Sequence, residues 1–339
     1  MARTHRQWIL RQRPQGLIKP GDLELVESEL ADLKPGEVLV RTIYLSLDPT
    51  NRTWMNDVEG YLPPVGLGEA MRGLTLGVVE DSRSERFAPG SVVTPLSGSW
   101  ADYAVVPEGQ LRPVHRAPGL PLTANLSVMG MTGMTAWFGV TDVLKPQPGE
   151  TIVISAAAGA VGSIAGQVAK AHGARVIGIA GGPEKTRWLT EELGFDAAID
   201  YKNEDVGAAL DRLAPDGVEM NFENVGGDIM IAVFNRLKTH GRMAVCGLIS
   251  SYNATRMPPS PNFGRIITHR LNIKGFLVLD YVHRAREMAE QMGPMVADGR
   301  IQWKVHLDDG LEGALDSLNR LFTGDHDGKL LVKVSEEPA

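Results

Sequence analysis

The stretch AAAGAVG, residues 156–162, has the residue types and the spacing of a phosphate-binding loop. Its pattern Ala157-x-Gly159-x-x-Gly162 stands between an apolar run and a run of helical composition, as a dinucleotide-binding fingerprint requires. Gly159 would let a pyrophosphate approach the backbone, and Gly162 would let helix and strand pack closely. Amide groups at the start of the helix would then bind the phosphates. Because Ala157 replaces the first glycine, a packing seam rich in Ala and Gly is the alternative.

The next predicted strand, residues 175–180, ends in Gly181-Gly182. In a dinucleotide-binding unit an acidic residue that binds the adenosine ribose stands there, ~20 residues after the glycine loop. Here two glycines replace that acid, and Lys185 follows them. An acid would repel a 2′-phosphate, whereas glycines and a lysine would admit and neutralise it, so the sequence favours NADP(H) over NAD(H). Tyr201, after the following strand, is predicted to pack against the adenosine end.

Two more predicted strands end in polar or small residues. Asn224, in the stretch NFENVGG, is predicted to hydrogen-bond the cofactor, and Gly226 and Gly227 would permit a close approach. A plain turn is the alternative interpretation of this stretch. Cys246-Gly247 ends another strand. No histidine or other base adjoins Cys246, so we interpret it as a buried structural thiol rather than a nucleophile.

These loops require strands whose carboxyl ends meet at one edge of a sheet. From residue 151 onward strands and helices alternate, which predicts a parallel, doubly wound α/β domain. The predicted strands are 151–156, 175–180, 197–200, 219–224, 242–248 and 272–276, and the helices are 163–173, 184–194, 206–213, 228–238 and 281–299.

The first 120 residues differ in character from this alternating region. Short runs rich in Val, Leu and Tyr are broken by Gly and Pro, which predicts a mostly antiparallel sheet with long loops. The predicted strands are 37–49, 74–81, 91–96 and 101–107. Residues 51–72 lack periodicity, and a loop of that length is often functional. Residues 329–334 are interpreted as an edge strand that returns to this first domain.

Composition excludes several classes of function. The chain has 339 residues, enough for two domains, and a net charge of -7 without a basic run, so nucleic acid is not expected as a partner. The single Cys246 excludes an internal disulfide and a zinc site of several thiolates, and no metal is expected. We find no signal peptide or membrane span in the sequence and expect a cytoplasmic protein.

Taken together, the stretches SAAAGAVGS, GGPEK, NVGG and CGLISSYN, in this order and spacing, resemble the zinc-independent branch of the medium-chain dehydrogenase/reductase superfamily. Within it the chain is most similar to prostaglandin/leukotriene reductases and bacterial NADPH-dependent curcumin reductases. YLSLDP, MTGMTAWFG and DGKLLVKV extend the resemblance over nearly the whole chain. It implies a GroES-like, mostly antiparallel catalytic domain at 1–121, completed by 303–339, a Rossmann NADP-binding domain at 122–302, and a homodimer.

The resemblance also implies site residues. It places Tyr252 near the nicotinamide and matches Tyr61 to a tyrosine of the curcumin reductases' substrate loop, with Asn51 on the substrate side. Thr50-Asn51 and His326 depart from the family's usual residues, so the substrate can differ. The implied cofactor-binding residues are Ala157, Gly159, Ala160, Val161, Gly162, Gly181, Gly182, Lys185, Tyr201, Asn224, Cys246, Gly247, Tyr252, Phe276, Met131, Thr135 and His326.

The expected activity is therefore NADPH-dependent reduction of the C=C bond of a small α,β-unsaturated ketone or aldehyde. Conjugate addition of hydride leaves charge on the carbonyl oxygen, and hydrogen-bond donors can stabilise that charge without a metal. Tyr252 and Tyr61 are the candidate catalytic donors. Two alternatives stay open at this point: a quinone reductase with the same cofactor, and a non-catalytic NADP-binding protein.

Overall fold

A computed structural model of the chain describes residues 3–114, 116 and 119–338. The chain forms two compact units. The first takes in the chain up to Leu126, together with Val305–His326 and the residues from Leu330 onward. The second consists of Ser127–Lys304 and Asp327–Lys329. Within the described residues, no helix is both long and apolar enough to cross a membrane.

Strands are numbered here in chain order. They are β1 (Thr4–Leu10), β2 (Leu23–Glu29), β3 (Glu37–Ser46), β4 (Arg72–Ser82), β5 (Val92–Pro95), β6 (Gly98–Ser99), β7 (Tyr103–Pro107), β8 (Leu111–Pro113), β9 (Thr151–Ile154), β10 (Arg175–Ala180), β11 (Ala197–Asp200), β12 (Val218–Glu223), β13 (Leu237–Val245), β14 (Asn272–Gly275), β15 (Val305–Asp309) and β16 (Lys329–Lys333).

The α-helices are numbered in the same way. They are α1 (Pro49–Thr53), α2 (Met131–Phe138), α3 (Gly162–Ala171), α4 (Pro183–Arg187), α5 (Val206–Leu213), α6 (Gly227–Phe234), α7 (Ile249–Tyr252), α8 (Gly264–His269), α9 (Ala285–Ala297) and α10 (Ala314–Thr323).

The second unit is built on a six-stranded parallel sheet in the order β11-β10-β9-β12-β13-β14. The predicted doubly wound α/β architecture is confirmed. Strands such as β9 are apolar on both faces because both faces of a parallel sheet are covered. The strand order reverses between β9 and β12, so the crevice that binds ligands in such sheets lies at the carboxyl ends of these two strands.

Helix–sheet packing in this unit depends on small residues at specific points. In α3, a Cβ on Gly166 would lie 1.9 Å from the ring of Phe195, so only glycine fits there. Some predicted boundaries are wrong. The helix predicted over 228–238 ends at Phe234, because Leu237 already pairs with Val218 in the sheet. The strand predicted over 242–248 therefore begins earlier, at Leu237, and ends at Val245. In the first unit, the strand predicted over 37–49 ends at Ser46.

The first unit contains an eight-stranded sheet with the path β15-β16-β3-β4-β5-β8, to which β6 and β7 add by pairing with β4 and β3. Antiparallel pairing joins β16 to β3, β3 to β4, β4 to β5 and β5 to β8, as predicted. A buried cluster around Trp100, Leu10, Leu45 and Leu318 packs α10 against this unit.

The structure corrects one expectation for the first unit and adds a small sheet to it. Residues 329–334 were expected to form an edge strand, but β16 lies between β15 and β3 and is therefore an inner strand. β1 and β2 form a two-stranded antiparallel sheet that the sequence interpretation missed. The side chain of Trp8 in β1 helps to hold this small sheet in place, since its indole N–H donates to the carbonyl oxygen of Leu311 at 2.8 Å.

Candidate active site

The glycine loop connects β9 to α3 at the point where the strand order reverses. A Cβ on Gly162 would lie 2.4 Å from the carbonyl oxygen of Ala156, so the close helix–strand contact predicted for this position requires glycine. Ala156 itself has φ +48°, a conformation in which a non-glycine residue is strained. Ala157 is fully buried, whereas Gly159, Ala160 and Val161 are partly exposed ahead of the first turn of α3. The N–H of Ser163 in the first turn of α3 already donates to the carbonyl oxygen of Gly159 at 3.1 Å. In general, amide groups of a first helical turn that lack such a partner can bind phosphates.

The end of β10 forms the second part of the site. Gly182 has φ +97°, and its N–H donates to Asp200 Oδ1 at 2.8 Å. A Cβ on Gly181 would lie 2.9 Å from the ring of Tyr201, so the tyrosine closes directly over this glycine. Lys185 is the third residue of α4, which begins immediately after Gly182.

Tyr201 also lines a cavity of about 510 Å³ at the carboxyl ends of β11 and β12. Gly226, Gly227 and Ser250 also line this cavity. Both glycines have positive φ, at +81° and +54°. The structure therefore brings the Tyr201 and Gly226-Gly227 regions, predicted separately, to one cavity.

Asn224 follows β12 and is bound to the end of the adjacent strand. Its backbone N–H donates to Ser155 Oγ at 2.8 Å, and its Nδ2 donates to the Ser155 carbonyl oxygen at 2.7 Å. The two central strands are thus joined at the point where their order reverses. Ser155 was not predicted, although its place directly after β9 is a signal that sequence reasoning can use.

Glu223 is a second residue that sequence reasoning missed. It is fully buried, and its Oε1 accepts hydrogen bonds from Ser155 Oγ at 3.0 Å and from the N–H groups of Val225 and Gly226 at 2.7 Å each. Its Oε2 accepts from Asn221 Nδ2 at 3.0 Å. Burial raises the pKa of Glu223, and these donors oppose the shift. The signal in the sequence is an acid at the end of a strand in which every second residue is apolar, because a buried charge requires several partners.

The next strand end contains Cys246, Gly247 and Tyr252. Burial and the charge of Glu223 raise the pKa of Cys246 to about 12, which makes the thiolate inaccessible at neutral pH. The Tyr252 hydroxyl accepts a hydrogen bond from the N–H of Leu248 at 3.2 Å and lies 3.2 Å from the position of a Cβ on Gly247. A larger residue at Gly247 would therefore displace the Tyr252 hydroxyl.

Three more predicted cofactor residues lie in this unit. Phe276 packs edge-to-face on Phe222, with ring centroids 6.1 Å apart. Met131 begins α2, and Thr135 Oγ1 donates to its carbonyl oxygen at 2.7 Å. A cofactor role for Met131 and Thr135 stays a prediction.

The predicted substrate residues lie in the first unit, at and after α1. Thr50 Oγ1 and the Tyr61 hydroxyl form a short hydrogen bond. Tyr61 is 45% exposed, yet burial of its hydroxyl raises its pKa, and the hydrogen bond with Thr50 opposes that shift. Asn51 is only 1% exposed, and its Oδ1 accepts from the N–H of Asp48 at 2.7 Å. The amide of Asn51 therefore caps α1.

His326 also belongs to the first unit, where its Nδ1 lies 3.3 Å from the carbonyl oxygen of Arg320. The three residues after it belong to the second unit, and Gly328 forms a bridge with Gly159 of the glycine loop. A cofactor role for His326 stays a prediction.

In the part of the chain that the structure describes, no group of three or more His, Cys, Asp or Glu side chains is arranged to hold a metal ion.

This fold and these strand ends define a class of protein, a two-domain dehydrogenase/reductase with a dinucleotide-binding domain. Family models agree: "N-terminal domain of oxidoreductase" matches residues 6–114 and "Zinc-binding dehydrogenase" matches residues 160–296.

Similar proteins specify the family further. The chain is 39% identical to an NADPH-dependent curcumin reductase of Escherichia coli, over 98% of this chain and 97% of that protein. It is 38% identical to a 2-alkenal reductase (NADP(+)-dependent) of Nicotiana tabacum, over 98% of each. The structure of CurA from Vibrio vulnificus in complex with NADPH matches with a TM-score of 0.92 and 40% identity, over 98% of this chain and 99% of that one. The chain belongs to the medium-chain dehydrogenase/reductase family, in the branch of the curcumin and alkenal reductases.

Proposed function

We propose that this protein reduces the C=C bond of small α,β-unsaturated ketones or aldehydes with NADPH. The observation that carries the proposal is the set of strand ends at which the sheet order reverses, with the glycine loop and Asn224 side by side. The prediction of an NADPH-dependent oxidoreductase is confirmed by relatives that are named as NADPH-dependent reductases and by the NADPH complex of CurA.

The residues of the second unit fit this cofactor. Gly162 and Gly181 stand where a Cβ would collide with the protein itself, so the start of α3 packs closely on the loop after β9 and the side chains of Tyr201 and Lys202 lie against the end of β10. We propose that the amides at the start of α3 bind the pyrophosphate, that Lys185 binds the 2′-phosphate, and that Tyr201 covers the adenosine. Asn224 is held by Ser155 near the nicotinamide end in this proposal.

When bound, NADPH supplies the hydride for the β-carbon of the substrate. The negative charge that then develops on the carbonyl oxygen requires a donor that is already in position. We propose that the Tyr252 hydroxyl is this donor, because the N–H of Leu248 holds its oxygen at the end of β13. No lowered pKa is needed, since a neutral phenol donates its own proton.

Tyr61 is proposed to give the α-carbon its proton. The Thr50 hydroxyl is positioned to donate to the Tyr61 oxygen and so to stabilise the phenolate that remains after the transfer. The amide oxygen of Asn51 caps α1, and its Nδ2 donates to the carbonyl oxygen of Arg72 at the start of β4. Because both amide atoms are used in this way, we assign Asn51 the task of holding α1 rather than of binding substrate.

The test is a panel of aryl butenones, 2-alkenals and quinones, followed by loss of NADPH absorbance with identification of the products. We expect the saturated ketone from an enone, with deuteride from labelled NADPH at the β-carbon and solvent deuterium at the α-carbon. An allylic alcohol as the main product would contradict the proposal. Turnover with quinones alone would favour a quinone reductase, and the absence of any turnover would favour a non-catalytic NADP-binding protein.

A homodimer and a cytoplasmic location stay predictions that rest on the family resemblance. Light scattering of the purified protein would measure the oligomeric state directly.

A further inference from the structure

The loop between β11 and α5 contains a lysine that the sequence interpretation did not single out. A Cβ on Gly181 would lie 2.9 Å from Lys202 Cε, the same distance as from the ring of Tyr201. The Lys202 ammonium is one bond beyond that carbon. Tyr201 and Lys202 therefore occupy the space that a side chain at position 181 would fill.

Asp200 fixes the backbone of both loops at this point. Its Oδ1 accepts hydrogen bonds from the N–H of Gly182 at 2.8 Å and from the N–H of Lys202 at 3.1 Å. Its Oδ2 accepts from Asn203 Nδ2 at 2.7 Å. One carboxylate thus ties the end of β10 to the loop that follows β11, and Lys202 cannot drift far from the two glycines.

Asp200 is also an acid close to the position where a 2′-phosphate is expected, which the sequence alone did not indicate. Desolvation opposes its ionisation, but the hydrogen bonds from Gly182, Asn203 and Lys202 prevail and lower its pKa, so it is charged at neutral pH. A 2′-phosphate beside this carboxylate requires nearby positive charge. Lys202 forms no ion pair of 4.0 Å or less with the residues that the structure describes, although its charge acts on Asp200.

We propose that Lys202 is a second phosphate-binding residue, which acts with Lys185 to select cofactors with a 2′-phosphate. This inference rests on the proposed function, because the ligand is NADP(H). Because Gly181 has no side chain, Tyr201 and Lys202 lie directly against the end of β10, where the 2′-phosphate is expected. Asp200 is the positioning residue that holds Lys202 over the glycines.

The test measures binding rather than turnover. Adenosine 2′,5′-bisphosphate and 5′-AMP differ only in the 2′-phosphate, and both are titrated calorimetrically into the full-length protein. We expect Lys202→Gln to weaken binding of the bisphosphate by about tenfold at low salt, with 5′-AMP unchanged. Lys274→Gln is the matched control, since Lys274 is also exposed and lies in the sheet strand β14, far along the strand order from β10 and β11.

Gly181→Ala provides an independent variant. Its methyl group would displace both Tyr201 and Lys202, so we expect the substitution to weaken binding of the bisphosphate more than binding of 5′-AMP. Unfolding temperatures near that of the wild type establish that both variants are folded.

The inference is overturned if Lys202→Gln weakens both ligands equally, which would make Lys202 only the counter-charge of Asp200. It is also overturned if neither ligand is affected while the wild type still prefers the bisphosphate. A wild type without that preference would overturn the cofactor assignment itself, so the two failures are distinguishable.

Discussion

The strand ends of the second unit and the segment after α1 in the first unit hold their candidate residues in different ways. At the ends of β9 and β12, Ser155, Glu223 and Asn224 form hydrogen bonds to one another and to backbone amides in a buried environment. After α1, Tyr61 is 45% exposed and its hydroxyl is paired with Thr50. Several hydrogen bonds therefore hold the side chains of the first region in place. The position of the Tyr61 hydroxyl in the second region depends on its hydrogen bond with Thr50, which water can replace.

This difference predicts where substitutions act. Removing a buried, multiply bonded group should affect folding as well as cofactor binding. Removing a half-exposed hydroxyl should affect only the reaction.

Glu223→Ala should give the largest loss of stability. It would leave Ser155 Oγ and the N–H groups of Val225 and Gly226 without their acceptor in a buried site. Each unsatisfied group costs about 1–3 kcal/mol, so we expect a loss on the order of 3–5 kcal/mol in urea-induced unfolding. A loss below about 1 kcal/mol would contradict the picture of a rigid network.

Glu223→Gln is the matched control for this substitution. Its amide oxygen can accept the same three hydrogen bonds. Its amide nitrogen would face Asn221 Nδ2, which now donates to Glu223 Oε2, so the Asn221 amide must turn over and present Oδ1, an atom without a hydrogen-bond partner among the described residues. We therefore expect the glutamine variant to fold with nearly the stability of the wild type. An unfolded glutamine variant would show that the charge itself is required.

The pH dependence sharpens this control. Burial raises the pKa of Glu223 above 4.5, so folding favours its protonated form relative to the unfolded chain. The stability from this group is complete below pH 4.5 and decreases as the pH rises through the raised value. The glutamine variant lacks this decrease. As the pH rises from 4.5 through the raised pKa, the unfolding free energy of the wild type should therefore fall relative to that of the variant. Parallel profiles for the two proteins would contradict the raised pKa.

Tyr252→Phe should give the largest loss of activity. The substitution keeps the ring and removes the hydroxyl that the N–H of Leu248 holds in place. Losing one donor of a preorganised site costs about 2.7–4 kcal/mol, so kcat should fall about a hundredfold or more. NADPH affinity, measured by fluorescence titration, should hardly change. An unchanged kcat would remove Tyr252 from the mechanism.

The fold and the loop positions follow from the sequence because each depends on local rules. Alternating strands and helices specify the parallel sheet, and Gly162 marks the loop because a Cβ there would lie 2.4 Å from a backbone oxygen. Those constraints act between neighbouring residues and are visible in the residue types.

Contacts between residues on neighbouring strands cannot be predicted from the residue types in that way. Asp200 and Lys202 meet Gly181 and Gly182 only because β10 and β11 are adjacent in space. The inner position of β16 likewise depends on β15, a strand with partly polar composition that gives little local signal. Contacts of this kind require the tertiary structure.

Lys185→Ala should weaken the binding of NADPH but not that of NADH. Lys185 is partly exposed in α4, which begins directly after Gly182. Losing a charge-assisted contact with the 2′-phosphate costs about 1.5–3 kcal/mol, less at high salt, and NADH has no such phosphate. We expect weaker NADPH binding and nearly unchanged NADH binding in calorimetric titrations. Equal weakening of both cofactors would contradict this role for Lys185.

The smallest effect is expected at Thr50, in the exposed region of the comparison. Thr50→Val keeps the shape of the side chain and removes the hydroxyl that meets Tyr61. The net value of such a hydrogen bond is about 0.5–1.5 kcal/mol, so kcat should fall about two- to tenfold, with NADPH affinity and the unfolding temperature unchanged. Thr50→Ser, which keeps the hydroxyl, should restore the rate.

A double-mutant cycle separates a role through Tyr61 from an independent one. If Thr50 acts by holding the Tyr61 hydroxyl, Thr50→Val should have no further effect on kcat in a Tyr61→Phe background, because the group that it positions is already absent. Additive losses would show that Thr50 acts elsewhere, for instance within the turn where its carbonyl oxygen accepts from Thr53 Oγ1 at 2.8 Å. A fall in unfolding temperature with both Thr50→Val and Tyr61→Phe would mean that this segment contributes to the stability of the fold, as the strand ends do. The contrast between the two regions would then be wrong.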